Sequence, residues 1–420
     1  MTNTKVTFKI VYSILIAMLP ILSIYRDPLN IAEWGTILLL LFSPYILLKC
    51  WNYRSKIGKK GYIYLVVFLI DAAASIYIWG KYTNNYSSTA SLALLIMAYI
   101  LIINLYGGLG RVFDYTIAAR AVQIVSLFNA TLIIIQALLH YLFNSYANIV
   151  VTSWLVSDAE HYKTYLYSGI TNGSFRPAGF FLEPSHFALF AIVALVTLLF
   201  SPNKVHGYLA KSLFIIFGIV LSTSGIGISM AFTILLLSLF RNNKLSIKKV
   251  TKIFFGIFGL ALIIFVVSQF DVIKFAVDRV FTGDIRTSAV YPRIYNMLFF
   301  FDAPMNIQLL GNGFLTFPVS YYSYYNGAIK LLYGQGYIGM AILLLFLIVR
   351  YRNSIGAGKL LIFCFAVLFV AAEMYSTIYL CFYLMFICSL DAGYVNHFFS
   401  QRILVNEGMC KENSKGGNII

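Results

Sequence analysis

The charged side chains of this chain are few, and those placed to do chemistry fall in two stretches. Arg176 lies in Phe175-Arg176-Pro177-Ala178-Gly179-Phe180-Phe181-Leu182-Glu183-Pro184-Ser185-His186, just ahead of an apolar run. Arg279, Arg286 and Arg293 recur at seven-residue spacing, which puts them on one face of a helix, although Gly283 and Pro292 argue against one unbroken helix there. Guanidinium forks hold phosphate oxygens bidentately, so an arginine cluster at a membrane surface suits a pyrophosphate headgroup, with Arg176 and Arg286 the leading candidates. The same arginines could instead form exposed pairs with Asp278 and Asp284, or touch lipid phosphates. Glu183 is the carboxylate near Arg176 in sequence, and it precedes a proline that opens a helix. At the lip of a membrane cavity it could take a proton from an attacking hydroxyl; equally, it could pair with Arg176 or sit as a charge at a helix N-terminus. His186 could serve as the base, but one histidine beside an apolar helix is more often packed or hydrogen-bonded.

Other features are less specific. Gly311-Asn312-Gly313 and Asn326 followed by Gly334-Gln335-Gly336 read as turns leading into an apolar span. Asp71 falls inside an apolar run, which makes it a functional candidate or one half of a polar pair. Gly356-Ala357-Gly358-Lys359 lacks the earlier glycine and the following Ser/Thr of a phosphate-binding loop, which weighs against an ATP-driven pump. No Asp-x-Asp pair and no zinc-like His/Cys spacing occurs, so the sequence implies neither a catalytic metal nor another cofactor.

The elements that must position these residues are membrane helices. With 60% hydrophobic and 11% charged residues among 420, the chain cannot cover a water-soluble surface. A mean hydropathy of +0.83 excludes a polar disordered chain, and its spread along the whole length excludes a soluble enzyme with one anchor. Twelve apolar runs can be drawn as spans: 9–25, 31–48, 62–80, 90–107, 121–143, 186–201, 212–223, 225–240, 253–270, 336–350, 360–373 and 374–392. The run from Ser212 to Phe240 breaks at Ser222-Thr223-Ser224-Gly225, and the run from Leu360 to Ala392 turns near Glu373. With the N-terminus inside, cytoplasmic segments carry 22 of the 31 Lys/Arg and external ones nine. The net charge of +16 is therefore read as loop bias, with no nucleic acid implied. Both termini are then cytoplasmic and no cleavable signal peptide is needed. The five cysteines lie in spans or cytoplasmic segments, where disulfides are not expected.

The expected class is thus an all-α polytopic membrane protein. Residues 1–143 hold helices 1–5, 186–270 helices 6–9 and 336–394 helices 10–12, before a cytoplasmic tail at 395–420. Two large external loops, 144–185 and 271–335, separate the helical groups. Long loops in a compact domain are usually functional or disordered, and the Tyr, Trp and Phe content of these two argues against disorder. Rings such as Tyr321, Tyr322, Tyr324 and Tyr325 could stack on sugars or sit in an interfacial belt.

With these features the chain resembles the O-antigen polymerases of the Wzy type, bacterial inner-membrane proteins related in architecture to the O-antigen ligases. The resemblance covers nearly the full length in topology. At residue level it rests on Arg176-Pro177-Ala178-Gly179-Phe180-Phe181-Leu182-Glu183-Pro184-Ser185, similar to the family's R-x-x-G-x-F-x-E-P-S/N signature. The break at Ser222-Thr223-Ser224-Gly225, and Gly311-Asn312-Gly313 with Asn326 and Gly334-Gln335-Gly336-Tyr337-Ile338-Gly339, are similar to further family patterns. Gly225-Ile226 lacks the arginine many relatives carry, and Asn326 stands where ligase-like relatives often have histidine, which tilts the resemblance away from ligase.

The resemblance implies a metal-independent glycosyltransferase joining undecaprenyl-pyrophosphate-linked oligosaccharide repeats at the periplasmic face of the inner membrane. The repeats would serve lipopolysaccharide or capsule biosynthesis. Cleavage of the sugar–pyrophosphate bond drives such a transfer, so no nucleotide site is needed. Arg176 and Arg286 would stabilise the departing pyrophosphate and Glu183 would orient or deprotonate the acceptor hydroxyl. Arg279, Arg293, His186 and Asn326 would bind pyrophosphate or sugar. Expected partners are the lipid-linked oligosaccharides, membrane lipids, and a chain-length regulator and flippase of the same pathway. An O-antigen ligase, and a lipid-linked oligosaccharide flippase, remain the alternatives.

Overall fold

The computed structural model describes residues 2–25, 32–50, 66–68, 70–71, 73–74, 88–108, 112–145, 175–201, 206–240, 300–311 and 326–390. They are mostly helical, with no strand among the described residues. The helices are α1 (Thr2–Leu22), α2 (Trp34–Cys50), α3 (Ser88–Ile102) running into a π-helical turn (Ile103–Gly108), α4 (Tyr115–Phe143) and α5 (Pro184–Leu199). After them come α6 (Tyr208–Leu221), α7 (Gly225–Phe240), the short α8 (Met305–Leu310), α9 (Gly327–Asn353), α10 (Gly356–Ala371) and α11 (Thr377–Ser389). Arg279, Arg286, Arg293 and the expected span 253–270 lie outside the described residues.

Local chemistry sets the helix ends. Asp114 caps α4 by accepting from the Thr116 and Ile117 amides, and α4 stops where Asn144 turns left-handed. Asn326 caps α9 and Ser376 caps α11 through the amides of Ile329 and Tyr379. The break expected after Leu221 occurs at Ser222–Ser224, between α6 and α7, and the turn expected near Glu373 separates α10 from α11. Several helices start earlier than the expected spans, at Thr2, Tyr115 and Gly327, and one expected turn is not a boundary at all. Gly334-Gln335-Gly336, read as a turn before the span, is a kink inside α9, with Gly336 at φ 64° and nine helical residues ahead of it. A capping asparagine at 326 starts the helix early, and a glycine free to take positive φ bends it without ending it.

α5 and α11 form the centre. Fourteen of sixteen α5 residues and twelve of thirteen α11 residues are buried, as an all-round apolar helix requires. The Tyr383 hydroxyl of α11 donates to the Leu189 carbonyl of α5, and Phe382 stacks on Phe190. Small residues set close approaches: a Cβ on Gly218 would stand 2.7 Å from that of Ala130, and one on Gly227 2.5 Å from that of Ala188. Outward faces are apolar, with Ile124, Phe128, Leu138 and Leu142 of α4 and Leu344, Leu345 and Ile348 of α9 exposed. α4 and α9 are long and apolar enough to cross a membrane, and eight shorter apolar helical stretches accompany them. Cys364, Cys381 and Cys388 are buried free thiols.

Candidate functional site

The segment from Phe175 to Glu183 lies across α4, fastened by two polar residues of that helix. The Gly179 amide donates to the Gln136 Oε1 at 2.8 Å and the Phe180 amide to the Asn129 Oδ1 at 2.9 Å, while the Asn129 Nδ2 donates to the Ala178 carbonyl at 3.2 Å. Asn129 is fully buried and Gln136 nearly so. Their cost in an apolar helix is offset because they satisfy backbone groups of the strap that have no helical partner. Only glycine fits at 179. Its φ is +68°, and a Cβ there would lie 2.0 Å from the Asn129 Oδ1.

This anchoring delivers Arg176 to the break between α6 and α7. Its Nε donates to the Thr223 Oγ1 at 3.0 Å and an Nη to the Thr223 carbonyl at 3.2 Å. Thr223 is buried with φ 56°, an uncommon conformation for a β-branched residue, costing of order 1–3 kcal/mol. The arginine holds both ends of that strained residue. Two stretches far apart in sequence, the Arg176 segment and the Ser-rich break, thus meet through one guanidinium whose orientation is fixed.

Glu183 occupies the N-cap position of α5, and its Oε2 accepts from the Ser185 hydroxyl at 3.0 Å. It therefore sits at a positive helix end with its carboxylate oriented by a hydroxyl of the first turn. His186 follows in the first turn, its ring 6.1 Å from that of Tyr379 at the start of α11. Tyr379 is buried and within electrostatic reach of Glu33, Glu183 and Glu373. Exposed Glu373 pairs with Lys330 at 2.9 Å. Arg176, Glu183, His186, Tyr379 and Lys330 all belong to the end of the bundle where α5, α9 and α11 begin and α6 and α10 finish.

Asn326 is buried at that same end, its side-chain oxygen accepting from the Ile329 amide at 2.8 Å, so it builds the start of α9. Gly311 and Gly334-Gln335-Gly336 also come together. A Cβ on Gly311 would stand 2.5 Å from the Gly334 carbonyl oxygen, and one on Gly336 2.3 Å from the Leu309 carbonyl oxygen. These glycines let the end of α8 lie backbone to backbone against the kink in α9. Sequence reasoning missed Asn129, Gln136, Thr223 and Tyr379. Polar residues on an apolar helix were the available signal for the first two, and the Ser-rich break for Thr223.

Among the described residues, no group of three or more His, Cys, Asp and Glu side chains is placed to hold a metal ion. No protein-family model matches the chain, and no curated protein matches it detectably.

Proposed function

We propose that the chain is an O-antigen polymerase, a glycosyltransferase that joins undecaprenyl-pyrophosphate-linked oligosaccharide repeats at the periplasmic face of the bacterial inner membrane. On this reading about twelve helices span the bilayer, both termini are cytoplasmic, and the Arg176 end of the bundle faces the periplasm. Exposed apolar faces on two long helices and the 22-to-nine cation bias support the membrane placement.

The observation that carries the reading is the junction of Arg176 with Thr223. It joins two of the stretches on which the resemblance rests and leaves the guanidinium half-buried at the end of the bundle where α5, which follows Glu183, begins. A fixed cation at a helix mouth suits charge growing on a departing pyrophosphate, because its orientation is set before the reaction. Arg286, with Arg279 or Arg293, would complete the anion clamp. Glu183, held by Ser185, would orient or deprotonate the acceptor hydroxyl, with His186 beside it and Asn326 keeping the start of α9 in register for the sugar. Holding donor and acceptor in one cavity supplies much of the rate.

Deletion of the gene followed by gel analysis of lipopolysaccharide tests this. Core bearing a single repeat, with no ladder, is the expected result. Core with no repeat at all would instead indicate a ligase or flippase, and accumulation of lipid-linked repeats by leaflet separates those two. The kink at Gly336 and the break at Ser222–Ser224 are features that favour a transporter, since broken helices are common in that class.

A further inference from the structure

A second polar cluster lies among apolar side chains, outside the machinery assigned above. Asp71, Gln335 of α9 and Tyr375 of the α10–α11 turn are 6%, 0% and 5% exposed. The Tyr375 hydroxyl donates to the Gln335 Oε1 at 3.0 Å. Gly339, one turn beyond the kink, leaves a bare face. The place its Cβ would take is 3.1 Å from the Asp71 Oδ2 and 3.3 Å from the Gln335 Oε1. Carboxylate and amide oxygens therefore both flank the bare backbone of Gly339. Neither the Asp71 Oδ2 nor the Gln335 Nε2 has a hydrogen-bond partner among the described residues.

An ionised carboxylate with no partner in apolar surroundings calls for a counter-charge, either a bound cation or a proton. The ion pairs among the described residues, Lys9 with Asp114 and Lys330 with Glu373, do not involve Asp71. The adjoining walls of Phe68, Leu101, Ile342 and Phe346 supply no polar group. The kink adds to the demand. At Gly336 the backbone leaves helical geometry, so the regular i→i−4 pairing of α9 is interrupted one turn before Gly339. In other membrane folds, backbone carbonyls at interrupted helices coordinate sodium or protons, and here a buried carboxylate lies within reach of such an interruption. One carboxylate balances one charge, which favours a monovalent ion over magnesium, which keeps an octahedral shell with several waters.

The geometry points to a binding site for a small monovalent cation of sodium type, formed by the Asp71 carboxylate, the Gln335 amide oxygen and the Tyr375 hydroxyl at the kink of α9. It joins the segment bearing Asp71 to α9 and the α10–α11 turn. The ion would therefore fasten the kinked helix to its neighbours.

The test uses the purified full chain in lipid nanodiscs, with ²²Na⁺ binding measured by scintillation proximity against choline as the inert cation. Wild type is expected to bind sodium saturably and to unfold at higher temperature in sodium than in choline. Asp71→Asn should abolish both effects, and Tyr375→Phe should weaken binding about tenfold, the loss of one neutral oxygen ligand. Absence of saturable sodium binding in wild type overturns the site. So does equal binding by Asp71→Asn, or a thermal stability that follows pH identically in sodium and choline, which would assign the place to a proton. If Asp71→Asn is not recovered folded, unchanged affinity in Tyr375→Phe overturns it instead. None of these readouts depends on glycosyl transfer, so the site and the polymerase reading fail separately.

Discussion

Asn129 and Gly179 should be energetically coupled, because one occupies the space that the other leaves open. Replacing Asn129 by alanine removes its bonds to the Phe180 amide and the Ala178 carbonyl, leaving strap groups unpaired at a cost of about 1–3 kcal/mol. Replacing Gly179 by alanine forces a Cβ into positive φ, costing about 1–2 kcal/mol. It also puts that carbon 2.0 Å from the Asn129 Oδ1, which must swing away and lose the same bonds. The glycine substitution therefore costs about 2–5 kcal/mol in all, the sum of those two ranges. In the double variant the clash disappears and the lost bonds count once, so its cost should fall short of the two single costs added by about 1–3 kcal/mol. Unfolding free energies of the four proteins, measured by denaturant titration in mixed micelles, give the coupling directly. Additivity within about 0.5 kcal/mol would show that Asn129 does not hold the strap as described, and would undo the argument that α4 positions Arg176.

Other outcomes follow from the same geometry. Arg176→Ala and Glu183→Gln should each remove long polymer from lipopolysaccharide gels while the protein stays in the membrane, and full-length ladders from both would reject their assigned roles. Gly336→Ala should destabilise by more than the roughly 1–2 kcal/mol of its positive φ, because its Cβ would meet the Leu309 carbonyl oxygen at 2.3 Å; an unchanged melting temperature would contradict the packing of α8 on the kink. Burial works to raise the Asp114 carboxyl, but hydrogen bonds from Thr116 and Lys9 and the Lys9 charge outweigh it and hold the group below its ordinary value of 3.8. Its ionised form thus stabilises the fold above pH 3.8, and that contribution fades as pH falls through the lower folded value, so the stability gap between wild type and Asp114→Asn should close in acid and persist at neutral pH. Lys330→Ala should change stability by less than about 1 kcal/mol, since its pair with Glu373 is solvent-accessible, and a larger loss in the same titration would mean the pair does more than hold the surface.

Much of the helical layout was legible because hydrophobic runs and breaks are local properties. The break at Ser222–Ser224 and the turn at Glu373 follow from polar and conformationally distinct residues interrupting apolar runs, and the structure puts helix ends at both. The Arg176 segment was legible as a unit for the same reason: a proline at 184 opens a helix wherever it can, and Glu183 before it becomes the cap position. What the sequence could not express was which distant groups would satisfy one another. Asn129 and Gln136 are polar interruptions in a run that a hydropathy scan averages away, and their role exists only once the strap lies across α4. Gly336 reads as a turn in one dimension and becomes a kink because Asn326 starts a helix before it and Leu309 crowds its α-carbon. Asp71 was visible as a carboxylate in an apolar run, but its facing oxygen belongs to a residue 264 positions away. Local pattern fixes where helices run; pairing of buried polar groups depends on contacts between helices, and those are decided only when the bundle closes.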